Sequence, residues 1–373
     1  MLSFTIKDPI LIKLRELSNL LAKMQGEIQK LDSKESKYIQ SNVFVSNIGA
    51  TTRIENALLT DAEVNWIDTV LTRNAKVDTF EDQKNFFVNK LTKEKERSLD
   101  EVVGCRSMIN LILQESEELF PLTEVNLRGL HAELLRYYKE ADHYRGSYKK
   151  VKNSVVKRIE DTQITILETT LPGLETEEAM TALIDWYNQS LPTNPWSVAV
   201  AVELILRFFI IHPFQDGNGR LGRALLTLVF LQSPDTTLSD TIRFIPIDRY
   251  IERRREEYYT VLSRCSNGKY EQDSKMYNYE PLLRYMIKVI SEASSDFEFY
   301  RNRYKQLQLL SDSVKTVLDC FSEKAEVRLQ AKDFVKSTNL ARPTINEALR
   351  TLVKMGFLQK TGSGAGTKYQ LIF

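Results

Sequence analysis

Apolar residues in the first third of the chain recur three and four positions apart, which is the spacing of one helix face. The clearest stripe follows Pro9 and comprises Ile10, Leu14, Leu17, Leu21, Met24, Ile28 and Leu31. A helix packed on its own domain explains this stripe better than a coiled coil, which would sustain the pattern for longer. A second amphipathic segment spans about 43–58, and Thr60 and Glu63 form a capping box for the next helix. Residues 81–119 and 123–140 continue the helical pattern.

The pattern changes between residues 151 and 169. Two β-branched runs, 151–159 and 163–169, flank the polar pair Glu160 and Asp161, which predicts a β-hairpin. Helices are then predicted again at about 177–189, 198–211, 219–231 and 250–263. Residues 198–211 form the longest apolar stretch, so we expect a buried core helix there.

The Ser-rich stretch 291–296 is the best candidate linker, and the chain beyond it has a different pattern. Three helices are predicted, at 313–321, 331–338 and 343–355. Two short strands around a Gly-Ser-Gly-Ala-Gly loop follow them. Three helices and a β-wing predict a winged helix-turn-helix, a fold whose role the pattern alone does not decide.

The third of these helices carries the residues that bear on a DNA partner. Arg342, Arg350 and Lys354 are predicted to face outward and suit phosphate groups, whereas Glu347 on the same surface would repel them. Winged helices also serve in protein contact and dimerisation. Both a DNA partner and a homodimer are therefore kept as alternatives for this region.

Composition narrows the class of protein. The 51 basic and 50 acidic residues leave a net charge of +1, which argues against a strongly basic nucleic-acid protein and makes any charge argument local. Cys105, Cys265 and Cys320 lie far apart without a C-x-x-C pair, so the chain is expected to be cytoplasmic and thiol-reduced. No secretory signal is recognised and no apolar run approaches about 18 residues, so no membrane span is expected.

The candidate chemistry is concentrated in "IIHPFQDGNGRLGRALL", residues 210–226. A Gly-rich turn that enters a helix leaves about four backbone amides unpaired beside roughly half a positive charge, which suits an anion. Gly217, Asn218 and Gly219 would present these amides to phosphate oxygens. Arg220 and Arg223 would hold phosphate charge by forked hydrogen bonds.

Two further residues complete this constellation. Asp216 is a hard oxygen ligand suited to Mg²⁺ beside phosphates. His212 can be neutral at cellular pH and accept a proton from a hydroxyl, whereas His131 and His143 are interpreted as structural. These parts suit in-line attack of a hydroxyl on a phosphate. The G-x-G-x-x-G of residues 217–222 lacks the preceding strand of a dinucleotide-binding unit, so that interpretation is rejected.

The run "HPFQDGNGRLGR" resembles the Fic-family signature H-x-F-x-D/E-G-N-G-R-x-x-R at every specified position. The resemblance covers roughly residues 100–290. It implies a mainly α fold, with a Fic helical core and a β-hairpin flap before the C-terminal winged helix-turn-helix. It also implies transfer of AMP from ATP, with Mg²⁺, to a Tyr, Thr or Ser hydroxyl of a protein.

The resemblance assigns roles to individual residues. His212 is the general base, Phe214 a core anchor of the loop and Asp216 the Mg²⁺ ligand. The nucleotide-binding residues that it implies are Gly217, Asn218, Gly219, Arg220, Arg223, Tyr258, Tyr259 and Asn267. The hairpin resembles the family flap, which pairs with an extended target segment. Lys149 stands where Arg is usual, which bears on the target rather than on the chemistry.

Residues 50–59, "ATTRIENALL", resemble the family's inhibitory motif S/T-x-x-x-E-G/N through Thr51, Glu55 and Asn56. A carboxylate brought to Arg223 would form a forked ion pair with it. That pair would occupy the cation that the γ-phosphate needs. We therefore expect Glu55 to act as a built-in inhibitor.

Three domains are expected: an N-terminal helical region with the inhibitory helix at 1–98, a Fic domain at 99–292 and a winged-helix domain at 297–373. The principal hypothesis is a self-inhibited protein adenylyltransferase. The alternative is a winged-helix DNA-binding regulator whose Fic core responds to nucleotide. A third hypothesis keeps an enzyme that transfers another phosphate-containing group or removes AMP.

Overall fold

The computed structural model describes residues 1–74, 80–89, 91–159, 162–321 and 328–372. The helices of the first half are α1 (Asp8–Ile28), α2 (Ser33–Ile54), α3 (Asp61–Asn74), α4 (Phe80–Val88), α5 (Glu96–Glu115), α6 (Glu124–Leu134), α7 (Leu174–Ser190) and α8 (Ser197–Ile211). Those of the second half are α9 (Asn218–Leu231), α10 (Thr236–Thr241), α11 (Ile247–Arg253), α12 (Arg255–Ser266), α13 (Glu280–Ala293), α14 (Asp296–Gln308), α15 (Asp312–Asp319), α16 (Ala331–Ser337) and α17 (Arg342–Lys354).

The strands form two small antiparallel sheets. β1 (Ser154–Ile159) and β2 (Thr162–Glu168) make the predicted hairpin, with Ser154 opposite Glu168. The polar pair Glu160 and Asp161 lies outside the described residues. β3 (Arg328–Gln330), β4 (Leu358–Thr361) and β5 (Lys368–Leu371) form the second sheet in the order β3-β5-β4. The prediction of a mainly α chain with a β-hairpin is confirmed.

The described residues divide into two compact units, each assembled from two parts of the chain. The first contains Met1–Asn56 and Asp100–Phe297, and the second contains Ala57–Leu99 with Glu298–Phe373. The first 56 residues thus belong to the unit that follows residue 100. The three-domain division drawn from the sequence stays a prediction.

The predicted core helix is α8, and it lies at the centre of the first unit. Every residue of α8 except Arg207 is buried, as expected of a helix that is apolar all round. It packs against α7, α9 and α13. At Gly222 of α9, a Cβ would overlap the Phe209 ring, so this glycine allows α8 and α9 to approach closely. That approach brings the end of α8 beside the start of α9.

The first predicted helix is confirmed, because α1 buries Ile10, Leu14, Leu17, Leu21 and Met24. The bounds of the second were wrong. α2 begins ten residues earlier, where the Asp32 side chain accepts hydrogen bonds from the Lys34 and Glu35 amides, a signal that the apolar pattern does not contain. It ends at Ile54, so Glu55 caps the helix instead of lying within it.

The capping box is confirmed, since the Thr60 amide donates to Glu63 Oε2 over 2.9 Å and the Glu63 amide to Thr60 Oγ1 over 3.3 Å.

The single helix predicted for 250–263 is in fact two, α11 and α12. The backbone of Arg254 leaves the helical region there, with φ −118° and ψ 31°. The Ser-rich stretch is a two-residue junction, because α13 runs to Ala293 and α14 begins at Asp296.

In the second unit, α15, α16 and α17 pack against the sheet β3-β5-β4 around one core. Its buried residues are Leu310, Val314, Val317, Phe321, Leu329, Phe334, Ile345, Ala348, Leu349, Leu352, Phe357 and Leu358. The order of helices and final strands is the one that the sequence predicts, and β3 is an additional strand. Nowhere in the described ranges does a helix have the length and apolar character that crossing a bilayer requires.

Candidate functional site

The segment 212–217 joins α8 to α9 through a turn that uses left-handed backbone at both ends. His212 caps α8 with φ +51°, and its amide donates to the Phe208 carbonyl over 2.9 Å. Gly217 caps α9 with φ +79°. A non-glycine residue in the left-handed region is uncommon and requires support from its surroundings. The turn thereby fixes the histidine between the two helix ends.

Asn218 closes the turn from within. Its Oδ1 accepts from the Phe214 amide over 3.0 Å, and its Nδ2 donates to the Phe214 carbonyl over 2.7 Å. Both side chains are buried, Phe214 completely. The asparagine side chain is therefore committed to the loop, and only its backbone amide belongs to the predicted anion cradle.

His131, which the sequence analysis interprets as structural, contacts this loop directly. Its ring stacks on Phe214 with centroids 3.8 Å apart and planes within 10°. Nδ1 accepts from the Gly146 amide over 2.9 Å, so Nε2 carries the proton and donates to the Asp216 carbonyl, also over 2.9 Å. Burial lowers the pKa of His131 to about 4. A neutral histidine thus holds the backbone on which the candidate metal ligand lies.

Lys149 and Asn153 support the loop from the hairpin side. The buried Lys149 Nζ donates to Asn153 Oδ1 and Thr169 Oγ1 over 2.9 Å and to the Ile211 carbonyl over 3.0 Å. Asn153 Nδ2 donates to the Phe214 carbonyl over 2.9 Å. Burial lowers the pKa of Lys149 to about 8. The base of the hairpin and the end of α8 are therefore one hydrogen-bonded unit.

The protonation of His212 follows from its contacts. Nδ1 lies 3.3 Å from the Phe209 carbonyl oxygen, which can only accept, so the proton is assigned to Nδ1 and Nε2 is left as the acceptor. Burial, with a smaller contribution from the charge of Lys149, lowers the pKa of His212 to about 4. The imidazole is consequently neutral near pH 7, the state that a general base requires.

Arg220 and Arg223 differ in how their buried guanidinium groups are satisfied. Arg220 is 3% exposed and contacts Asp216 Oδ1 over 3.3 Å, but its Nε and Nη1 have no hydrogen-bond partner among the described residues. Arg223 is 2% exposed and donates to Thr51 Oγ1, to the Thr51 carbonyl and to Glu55 Oε1 over 2.8–2.9 Å. Arg220 therefore keeps two buried N–H groups without a partner among the described residues, which is uncommon for buried polar groups, whereas Arg223 is engaged by the end of α2.

A second carboxyl lies behind Arg223, and the sequence analysis missed it. Asp248 on α11 is 7% exposed, and burial raises its pKa to about 6, although Arg223 and a hydrogen bond with the Thr51 side chain oppose that rise. Burial lowers the pKa of the Arg223 guanidinium, but the nearby charge of Glu55 raises it, and the pKa ends above its ordinary value. Thr51 thus connects the arginine to an internal acid as well as to α2.

The loop 212–217 and the start of α9 open on one cavity of about 700 Å³. The predicted residues that line it are Glu55, Asn56, His212, Asp216, Gly217, Asn218, Gly219, Arg220, Arg223, Tyr258 and Tyr259. Thr51 lies behind Arg223. Asn267 is exposed at the end of α12 and is not among the lining residues, which on this helix end at Ser266.

Arg255 also lines the cavity, and the sequence analysis did not select it. Its Nη2 donates to Asn56 Oδ1 over 3.0 Å, and its guanidinium lies 5.8 Å from the Tyr259 ring centroid. An arginine within a run of charged residues gives no sequence signal of its own. Only the fold brings it to the mouth of the cavity.

Glu55 reaches the start of α9 from the end of α2. Its side chain is 33% exposed, and Oε1 is 2.8 Å from Arg223 Nη2. A Cβ at Gly219 would overlap this carboxylate. Glu55 therefore lies directly against the first turn of α9, where the unpaired amides of a helix begin.

The residues present can be compared with what Mg²⁺ requires. In the part of the chain that the structure describes, no three His, Cys, Asp or Glu residues converge as a metal site. Asp216 lines the cavity with a side chain that is 38% exposed, and its Oδ1 accepts from the Gly217 amide over 2.6 Å. One carboxylate fits a hydrated Mg²⁺ that is shared with phosphates, which is the usual mode for this ion.

Comparisons with known proteins agree on one family. Residues 121–230 match the model of the Fic/DOC family. The chain is 39% identical over 95 residues to a Fido domain-containing protein of Dictyostelium discoideum, covering 23% of this chain and 66% of that protein. It is 30% identical over 138 residues to the protein adenylyltransferase fic-1 of Caenorhabditis elegans, covering 37% of this chain and 23% of that one. The matches thus span less than two thirds of these relatives' length.

A solved structure of similar fold extends over the whole chain. The crystal structure of a Fic family protein from Desulfovibrio desulfuricans aligns with a TM-score of 0.57 and 19% sequence identity. The alignment covers 100% of this chain and 98% of that one. At this identity the likeness shows a shared fold.

Proposed function

Through residues 121–230 the chain belongs to the Fic/DOC family, and from this premise we propose that it transfers AMP from ATP to a Ser, Thr or Tyr hydroxyl of a protein. One observation carries the proposal. His212, the residues at the start of α9 and the buried Arg220 line the same cavity of about 700 Å³, and burial keeps the imidazole of His212 neutral near pH 7. A base, an anion cradle and a cation are what phosphoryl chemistry requires.

In the proposed step, His212 Nε2 takes the proton of the target hydroxyl while the hydroxyl oxygen attacks the α-phosphorus of ATP. The bond between the α-phosphorus and the bridging oxygen breaks, and pyrophosphate leaves with that electron pair. The products are the AMP ester of the protein and pyrophosphate, with the proton on His212. The carbonyl of Phe209 keeps the imidazole in the required tautomer.

Backbone and side-chain donors would hold the phosphates. The amides of Asn218 and Gly219 lie at the N-terminus of α9, where the helix dipole favours negative charge, while the Gly217 amide donates to Asp216 Oδ1. Arg220 would add a positive charge beside the phosphates, and Asp216 with the phosphates would hold Mg²⁺, which neutralises phosphate charge when it is bound. Tyr258 and Tyr259 line the same cavity and would pack against the nucleotide base.

We further propose that Glu55 inhibits transfer. It pairs with Arg223 and lies against Gly219. Arg223 is then not available to the nucleotide phosphates, and the Glu55 carboxylate repels them at the start of α9. Release of the α2 end frees Arg223 for the γ-phosphate. Thr51 and Asn56 support the inhibitory contact through their bonds to Arg223 and Arg255.

Autolabelling with α-labelled ATP tests both parts. We expect Glu55→Gly to raise incorporation at least tenfold over the unchanged chain, and Glu55→Gln to give an intermediate increase because it removes the charge and keeps the side-chain length. Parallel reactions with labelled GTP, CTP and UTP check the choice of nucleotide. Mass spectrometry of a labelled lysate identifies the target and the modified hydroxyl.

The outcomes separate the two parts of the proposal. Incorporation in Glu55→Gly that is no higher than in the unchanged chain removes the inhibitory role. Absence of any incorporation, from any of the four nucleotides and in every variant, rejects nucleotidyl transfer itself.

A further inference from the structure

The final segment of the second unit has a charge unlike that of the rest of the chain. Residues 328–372 contain eight lysines and arginines against two acids, a net charge of +6, while the whole chain carries +1. The rest of the chain is therefore acidic overall, with a net charge of −5. The positive charge is concentrated in the segment that contains α16, α17 and the sheet β3-β5-β4.

The structure leaves this charge at the surface. All eight basic residues are exposed. Of the two acids, Asp333 accepts a hydrogen bond from the Gln330 amide over 2.7 Å at the start of α16, and Glu347 forms an ion pair with Arg350 over 3.4 Å. Glu347 thus offsets one neighbour, and the net field of the segment stays positive.

The exposed face of α17 has the chemistry of a base reader. Arg342, Asn346, Arg350 and Lys354 recur every four residues and are all exposed, while Ile345, Ala348, Leu349 and Leu352 turn into the core. Arginine and asparagine are the side chains that pair bidentately with guanine and adenine in the major groove. A helix that presents them along its length matches the recognition helix of a helix-turn-helix.

The hairpin beyond α17 adds a second contact. β4 and β5 pair with Thr361 opposite Lys368 and Lys360 opposite Tyr369, so both lysines lie near the tip of the hairpin. The connecting turn bends through left-handed glycines, Gly362 at φ +79° and Gly364 at φ +60°. A narrow tip with two exposed cations suits the sugar-phosphate backbone beside a groove.

We infer that α17 and the β4-β5 hairpin form a binding face for duplex DNA, with α17 in the major groove and Lys360 and Lys368 on phosphates. A protein partner fits less well, because the exposed side of α17 is charged and polar, and interface cores are depleted in charged residues. Duplex RNA also fits less well, because its major groove is too narrow for side chains to read. This inference does not rest on the proposed transfer activity.

Fluorescence anisotropy of the full chain with a labelled mixed-sequence DNA duplex of about 20 base pairs, two helical turns, tests the inference. On a mixed-sequence duplex, which offers no preferred base contacts, we expect the three cations of α17 and the two lysines at the hairpin tip to meet phosphates, so the plot of log K against log salt should have a slope of about −4 to −5. The variant Arg342→Gln, Arg350→Gln, Lys354→Gln should bind at least tenfold more weakly, with a slope shallower by about 2 to 3. All three side chains are exposed, so the fold should persist, and circular dichroism checks it.

The matched control is Lys13→Gln, Arg15→Gln, Lys23→Gln, which removes the same charge from exposed positions of α1. It should bind DNA like the unchanged chain. Equal losses in the two triple variants, or no binding at low salt, overturn the inference. Tighter binding to single-stranded RNA or duplex RNA than to duplex DNA also overturns it. So does self-association of the unchanged chain, measured by sedimentation, that the α17 variant abolishes.

Discussion

The loop 212–219 and the end of α2, residues 51–56, both reach one cavity, but they are held in different ways. The loop is fixed by buried bonds from three directions, through Asn218, His131 and Asn153. At the end of α2, Thr51 is buried and bonded to Arg223, but the residues that reach the cavity are Glu55, which is one-third exposed, and the exposed Asn56. Buried, fully bonded networks are rigid, whereas partly exposed ion pairs contribute little. In the proposed function, the loop is therefore the fixed element, and Glu55 with Asn56 is the part that can be released.

The largest expected effect concerns the fixed element. In the Glu55→Gly background, His212→Ala should lower the transfer rate by about 10²- to 10⁴-fold, the usual contribution of a general base. Nucleotide affinity should change little, because the base acts on the hydroxyl. Single-turnover labelling and equilibrium nucleotide binding measure the two quantities. Full activity in this variant would place the base elsewhere.

The support of the loop can be tested with the chain's other histidines. His131→Phe keeps the ring on Phe214 but loses both hydrogen bonds, so the Asp216 backbone should shift and kcat should fall about 10- to 100-fold. His131→Gln should recover part of the rate, since its amide can still donate to the Asp216 carbonyl. Steady-state labelling in the Glu55→Gly background gives kcat and KM separately.

His143→Phe is the matched control, since His143 is exposed and takes part in none of the loop bonds described above. It should leave kcat unchanged. A similar loss of kcat in both phenylalanine variants would contradict the positioning role. So would a loss of kcat in His131→Phe that accompanies a lower unfolding temperature and disappears when the assay is cooled.

The releasable element gives a smaller effect. Arg53 on α2 forms a fork with Glu252 on α11, Nε to Oε1 over 2.6 Å and Nη2 to Oε2 over 2.9 Å. If this pair contributes about 1 kcal/mol, Arg53→Gln should raise autolabelling of the otherwise unchanged chain about fivefold. Arg254→Gln, which breaks a similar fork from Nε and Nη2 to Glu292 on α13, should not. Equal activation in both variants would show that the Arg53–Glu252 pair has no specific role in holding α2.

The smallest expected change is in the pH profile. Because burial lowers the pKa of His212 to about 4, the base stays unprotonated as the pH falls from 8 to about 5, and kcat/KM of Glu55→Gly should change less than about twofold. A histidine with the ordinary pKa of about 6.5 would lose roughly three quarters of the rate by pH 6. A half-maximal rate near pH 6.5 would therefore contradict the burial argument. Removing Glu55 sharpens the test, since its charge raises the pKa of His212.

The sequence predicted the parts of the site that are local in the chain. The turn between α8 and α9, its glycines and its two arginines are set by a continuous run of residues, so the pattern is sufficient. His131, Lys149 and Asp248 were missed or assigned other roles because they meet the loop only through tertiary packing. The only sequence signal of His131 and Asp248 is a polar residue within an apolar neighbourhood, which many structural residues share, and Lys149 lies in a lysine-rich stretch without even that signal.

The fold shows the same division. Apolar periodicity predicted α1 and α8 because burial of one face or of the whole helix decides their residues. It missed the start of α2, where the signal is a capping aspartate, and the break at Arg254, where backbone geometry changes without a glycine or proline. The position of a helix end depends on single hydrogen bonds, and the spacing of apolar residues does not reveal them.

Gly219 carries a consequence for how this chain can change over generations. Any side chain at that position would displace the Glu55 carboxylate, yet it would also fill space beside the α9 amides, where the proposed reaction places a phosphate. In the proposed function, a mutation at position 219 would therefore remove both inhibition by Glu55 and transfer activity. Functional relatives that differ in inhibition should vary along α2 and its partners on α11 and α12, while position 219 stays a glycine.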